Sequence, residues 1–281
     1  MSASRNPFHR PRRLEAQYRF QLEPPFLHWL KSPQHATLDE LFARIKEWEA
    51  WKPAPAIDRI ARNMVTGVAK ENAASWREAA SKSTQGSRIY ELLRNEMRGP
   101  VGVRMKGLVR DNAKLIRSLP RDLAQDVTSQ IATRQMRGER SEDIARDISK
   151  RLPEIAKSRV ALIARTETAK AAEAITRSRA EALDLNWYQW LTSEDIRVRD
   201  SHKKMDLVLV NFNDPPSPEK LVGQKSIGNY HAGGVFNCRC TTAVIVDLDQ
   251  VSWPCKVYRK GAITRMSRAN FAKIAGKSVE R

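Results

Sequence analysis

The sequence predicts an α+β fold, with a mainly helical N-terminal half followed by an alanine-rich helix packed on a small C-terminal β-sheet. Three observations predict it. Apolar residues recur at helical spacing from Thr37 to Gly138, an alanine-dense run occupies residues 154–184, and beyond Leu185 the pattern changes to short strand-like stretches among turn-forming residues.

Residues 1–36 are rich in arginine and proline, including Pro24-Pro25, and read as an irregular basic arm that orders on a partner. A first helix starts at Thr37-Leu-Asp-Glu40. There the threonine hydroxyl and the glutamate carboxylate can cap each other's end of the turn. Leu41, Ile45 and Trp48 continue this helix until Pro53 and Pro55 stop it. A second runs from Asp58 through Ile60, Met64, Val68 and Trp76 to a break near Gly86. Two more flank Gly99-Pro100 and Pro120, the latter carrying Leu123, Val127 and Ile131 to Gly138.

Ser141 caps a short helix with Ile144 and Ile148 on its inner stripe, and Pro153 separates it from the alanine-rich helix. Ala161, Ala164, Ala169, Ala171, Ala172, Ala174 and Ala180 leave little bulk there, so other backbone can approach closely. Trp187, Tyr188 and Trp190 form a strand-like stretch, turns dominate 193–234, and strand periodicity returns from Phe236 to Val246. The expected organisation is an arm at 1–36, a helical domain at 37–149, an α+β domain at 150–250 and a basic tail at 251–281.

Composition narrows the function classes. Of 281 residues, 41% are hydrophobic and 29% charged, which describes a folded globular chain and not a disordered one. The longest apolar runs, Val208-Leu209-Val210 and Ala243-Val244-Ile245-Val246, fall far short of the roughly 20 residues of a membrane-spanning helix, so no membrane partner is expected. The N-terminus lacks the apolar stretch of a secretory signal, which points to synthesis and retention in a cytoplasm. Fifty Lys and Arg against 32 Asp and Glu give a net charge of +18, so the expected neighbour is a polyanion. The excess concentrates at both ends, with Arg10, Arg12 and Arg13 at one and Lys256, Arg259, Lys260, Arg265 and Arg268 at the other. Such arms bind phosphate backbones by counterion release without reading sequence.

The chemistry-bearing residues lie in the second half. On a helix, Glu167 shares a face with Val160, Ile163, Ala171 and Ala174, so its carboxylate is expected inside with Arg197, Arg199 or Arg239 as partner. Arg165 projects from another face, where its planar fork can pin a following loop. Cys238 and Cys240 are placed two apart on a strand and therefore on one face. With His202 and His231 they make a set of two nitrogens and two sulfurs that suits tetrahedral zinc. The competing reading packs the thiols as small hydrophobes under a loop held by the histidines, with no cofactor. Cys255 leaves the cysteine count odd, which speaks against a disulfide framework. The loop from Asn213 to Tyr230 is long enough to be read as a contact surface.

In chain order these residues are Arg165-Thr166-Glu167, Trp190, Asp195, Arg197, Arg199, His202, His231, Gly233-Gly234 and Asn237-Cys238-Arg239-Cys240. From about 104 to 246 the chain resembles the head morphogenesis domain of phage Mu F-like minor head proteins. That domain carries an "ARTE" helix, a Trp-bearing strand, a "D-x-R-V-R-x-x-H" segment and a closing "N-C-R-C" strand. The sequence departs from it in reading Met205-Asp206-Leu207 where many relatives have an Asp-Gly or Asn-Gly turn, and in placing Arg199 and His202 where some have Cys-x-x-Cys. The resemblance implies a non-enzymatic minor capsid protein of a tailed bacteriophage, made in the host bacterial cytoplasm and carried in the virion. It also implies portal and other head proteins as partners, with packaged double-stranded DNA against the basic ends. The alternative is a metal-dependent hydrolase of nucleic acid, with His202, His231, Asp195 and Glu167 around zinc or magnesium.

Overall fold

The computed structural model describes residues 7–30, 37–50 and 56–275, with backbone only at 25–30, 48 and 49, so the Trp48 side chain lies outside the described residues. The helices are α1 (Arg12–Leu30), α2 (Leu38–Glu49), α3 (Ala56–Ser81), α4 (Gly86–Asn95), α5 (Pro100–Met136), α6 (Ser141–Ala182), α7 (Asp200–Met205) and α8 (Arg268–Ala275). The strands are β1 (Trp187–Leu191), β2 (Val208–Asn211), β3 (Thr241–Val244), β4 (Cys255–Arg259) and β5 (Ala262–Met266). The α+β class read from the pattern is the observed one. No helix among the described residues is long and apolar enough to cross a membrane.

The chain divides into two compact units whose boundaries fall inside helices and not near 150. One unit, residues 13–64 and 109–164, contains only helices among its described elements. Its core joins Leu41 and Ile45 of α2 to Val127 and Ile131 of α5 and to Ile144 and Ile148 of α6. Thr37 and Glu40 cap α2 reciprocally, with the Glu40 amide donating to Thr37 Oγ1 and the Thr37 amide to Glu40 Oε2.

Pro120 and Pro153 lie inside α5 and α6 instead of separating shorter helices. Each proline removes one backbone donor, while the buried stripe runs on through it: Leu119, Leu123 and Val127 in α5, and Ile148, Leu152, Ala156 and Val160 in α6. The expected arm is likewise corrected. Its residues from Arg12 onward form α1, whose buried Tyr18 and Leu22 stand one turn apart, and Tyr18 donates to Asn112 Oδ1 at 2.8 Å.

The other unit comprises residues up to Arg12, 65–108 and 165 onward, and contains the whole sheet. The strand order is β3-β1-β2-β4-β5, antiparallel at every pairing except the parallel β2–β4 contact. Alternation decides which side each residue faces. Tyr188, Trp190, Val208 and Val210 pack on one side with Trp76, Ile89 and Ala180, whereas Trp187, Leu209 and Val257 pack on the other with Phe271 of α8. The sheet is thus buried on both faces. Residues after 250, expected as a basic tail, instead supply β4, β5 and α8. Arg179 of α6 is fully buried and held by Glu96 at 2.7 and 2.8 Å, Asn72 Oδ1 at 2.5 Å and the Ala69 carbonyl at 3.2 Å.

Candidate functional site

The site forms where α6, α7 and the segment leading into β3 meet. α6 can be approached closely because its buried positions here are small, Ala169, Ala171 and Ala174 among them. Gly233 uses that opening: an added Cβ would stand 3.3 Å from the carbonyl oxygens of Ala169 and Cys240, and its φ of +86° favours glycine. The strand expected from Phe236 is confined to Thr241–Val244, so Cys238, which closes a turn, and Cys240, in the irregular segment after it, do not share one face of a flat strand. The left-handed backbone of Asn237, φ 58°, makes that turn, and the Cys238 amide closes it on the Val235 carbonyl at 3.1 Å.

Most of the motif residues hold one another. Arg165 donates to Asn237 Oδ1, and Thr166 Oγ1, buried, accepts from the Asn237 amide. Arg239 grips Asp195 with both terminal nitrogens, at 2.6 Å from Nη2, while Asp195 also accepts from the Arg197 amide at 2.9 Å and Ser193 Oγ at 3.1 Å. Arg199 donates to the Phe236 carbonyl at 2.9 Å. Glu167 is a correction: it is not buried against Arg197, Arg199 or Arg239 but keeps its carboxylate at the rim, 3.2 Å from Lys170 one turn along. Thr166 takes the inward position instead.

His202 lies in the buried centre. Its Nδ1 is 3.6 Å from Cys238 Sγ and 3.4 Å from Cys240 Sγ, and the Trp190 ring lies nearly perpendicular to its own with centroids 5.5 Å apart. Among the described residues these three side chains stand close enough together that they could hold a metal ion. The contact with Cys240, followed by the neighbouring His202, holds the Cys238 thiol well below its ordinary range, and the same contact pushes Cys240 up.

His202 Nε2 meets Tyr230 Oη at 3.0 Å, and that hydroxyl donates to Glu219, buried beside Ser201. The long loop between Asn213 and Tyr230, expected as a contact surface, is in part packed inward: Pro216, Ser217, Pro218 and Glu219 are buried, and Tyr230 and Glu219 support His202. His231, placed with the sulfurs by sequence reasoning, turns away. Its Nδ1 pairs with Tyr188 Oη at 3.1 Å, and burial pushes its pKa down to about 4, so it stays neutral. The four-ligand set is thus reduced to three, and the hydrolase set of His202, His231, Asp195 and Glu167 does not converge.

A pocket of about 80 Å³ opens beside the sulfurs, and Arg165, Arg197, Arg199 and Arg239 line it. A family model described as phage Mu protein F like protein matches residues 125–243. Over that stretch the chain is similar to phage Mu protein F like proteins. It is also 28% identical over 190 residues to an uncharacterized protein of Haemophilus influenzae, covering 66% of this chain and 40% of that relative. The chain therefore spans well under half the length of this curated relative. No solved structure matches.

Within the matched region, the departure at Met205-Asp206-Leu207 is absorbed by backbone strain. Leu207 adopts φ 60° and donates its amide to the Trp190 carbonyl at 2.8 Å, while Asp206 Oδ1 accepts from the Thr192 amide and hydroxyl, both at 2.9 Å. Sequence reasoning missed Tyr230, Glu219, Glu173 and Arg179. Tyr230 adjoins His231 in the chain, but nothing in spacing shows that it reaches back to His202. Glu173 on α6 has Oε1 buried with no hydrogen-bond partner among the described residues, and burial, opposed by Arg177 and Arg104, pushes its pKa up to about 7. The basic residues named for DNA contact separate in kind: Lys256, Arg259, Lys260 and Arg265 are exposed on the β4–β5 hairpin, whereas Arg268 is drawn to Asp249 at 2.5 Å.

Proposed function

We propose that this chain is a minor structural protein of a tailed-phage head, acting in head morphogenesis at or near the portal and contacting packaged DNA without sequence preference. The observation that carries the reading is the Mu F-like region whose signature residues bind one another. Arg165 and Thr166 secure Asn237, Arg239 secures Asp195 and Arg199 secures Phe236, so the motif acts as a framework that fixes loops. Ile196, 95% exposed, and Phe236, 59% exposed, present apolar surface beside that framework, which suits docking on other head proteins.

The cationic hairpin and the net charge of +18 support the DNA contact. Mass spectrometry of purified virions tests the assignment: the chain is expected among the low-copy head proteins, and its absence removes the reading. Binding of the purified chain to duplex DNA is expected to weaken steeply with salt and to ignore sequence. Salt-insensitive or sequence-selective binding contradicts the DNA contact while leaving the virion assignment standing.

A further inference from the structure

We propose that His202, Cys238 and Cys240 form a zinc site that clamps α7 to the turn ahead of β3, its fourth ligand a water or hydroxide from the arginine-lined pocket. The argument starts from how many partners one ring nitrogen can serve. Imidazole Nδ1 offers either one hydrogen or one in-plane lone pair, yet two sulfurs stand 3.6 and 3.4 Å from it. One cation shared by all three ligands resolves that excess. Zinc–sulfur bonds of about 2.3 Å and a zinc–nitrogen bond of about 2.0 Å, at a tetrahedral angle, set sulfur and nitrogen about 3.5 Å apart, the separation found here.

The surroundings favour the ligating forms of His202 and Cys238. The Tyr230 hydroxyl gives its hydrogen to Glu219, so its oxygen can only accept from His202, which places the imidazole hydrogen on Nε2. The Nδ1 lone pair then faces the sulfurs, in the arrangement by which an outer carboxylate orients a metal-binding histidine. The Cys240 amide donates to Cys238 Sγ at 3.4 Å, which favours negative charge on that sulfur. Trp190 closes one side, and all three ligating residues are buried.

The fourth side meets the pocket, whose guanidinium groups favour an oxygen ligand carrying negative charge. His231 is excluded by its Tyr188 contact, and Asp195 by its grip on Arg239. The ion joins segments that lie 36 and 38 residues apart, so its binding also holds the fold together locally.

The test uses the full chain, purified without a histidine tag, saturated with zinc chloride and desalted. Metal analysis is expected to give one zinc per chain, and X-ray absorption at the zinc edge to give two sulfur neighbours with the remainder nitrogen or oxygen. Cys238→Ser and Cys240→Ser are each expected to lose the metal, and Cys255→Ser to keep it. Tyr230→Phe, which removes only the orienting hydroxyl, is expected to weaken zinc binding roughly 10- to 100-fold. Zinc far below one per chain, or a coordination shell without sulfur, overturns the proposal. The wild-type absorption measurement decides the matter even if a cysteine variant fails to fold.

Discussion

Arg165 donates from Nη1 to Oδ1 of Asn237 at 2.7 Å, joining α6 to a residue 72 positions later in the chain. Thr166 completes the hold by accepting the Asn237 amide at 3.0 Å, on a residue whose φ of 58° most side chains disfavour. Asn237→Ala removes the acceptor and raises the cost of the left-handed backbone, so it is expected to destabilise the chain by about 2 kcal/mol. Asn237→Asp keeps an acceptor for Arg165 and tolerates the same φ, so it is expected to cost far less. Urea unfolding of the two variants checks this; equal losses would mean that Arg165 contributes nothing through this hydrogen bond.

The strain at Leu207 predicts an unusual outcome, a stabilising glycine. Leucine at φ 60° costs about 1–2 kcal/mol, and this side chain is 52% exposed, so little burial is forfeited on removing it. Leu207→Gly is expected to raise the unfolding free energy by about 1 kcal/mol once the extra freedom of the unfolded chain is subtracted. A lower denaturation midpoint for this variant would contradict the reading.

Glu173 gives stability a pH dependence. Its folded pKa is raised from the ordinary 4.5 to about 7, so its favourable contribution is complete below about pH 4.5 and is lost as pH rises through 7. The loss by pH 8 is about 3 kcal/mol at most. Glu173→Gln is therefore expected to be more stable than the natural chain at pH 8 and no more stable at pH 4. His231 behaves oppositely: its folded pKa near 4 means that its contribution is present above 6.5 and lost as pH falls through 4. Thermal unfolding across this range checks both limbs.

On the β4–β5 hairpin, Lys256 stands directly opposite Arg265, a like-charged cross-strand pair that works against folding. Lys256→Glu is expected to stabilise the hairpin by about 0.5 kcal/mol and to weaken duplex DNA binding, lowering the slope of log affinity against log salt by about one for each phosphate no longer neutralised. Anisotropy titrations over a range of salt concentrations measure that slope, and an unchanged value would remove the hairpin from the DNA-binding surface.

What was legible in the sequence was local. Thr37-Leu-Asp-Glu40 announced its capping box, and the alanine density of α6 announced a close neighbour, which is Gly233. Arginine and proline content concealed α1, although Leu14, Tyr18 and Leu22 keep its spacing of four. Pro120 and Pro153 read as breaks because a proline's cost is visible in sequence, while the tertiary burial that offsets it is not. Glu167 and Glu173 lie on one helix, and periodicity favoured the wrong one as the buried acid. Which carboxyl reaches inside depends on what packs opposite, as does the turning of His231 toward Tyr188.

The parallel pairing of β4 with β2, Val208 opposite Lys256 and Leu209 opposite Val257, bears on how the protein can be cut. A fragment ending at Val246 would strip the row of main-chain donors and acceptors along Val208-Leu209-Val210 of its neighbour, leaving an apolar open margin. Such a margin recruits strands from other molecules, so the family-matched stretch alone should self-associate, and a well-behaved piece must extend through Met266. Residues with the composition of a loose basic end thus serve as the selvedge of the sheet, and the cations they carry guard the new rim at β5 against the same sticking.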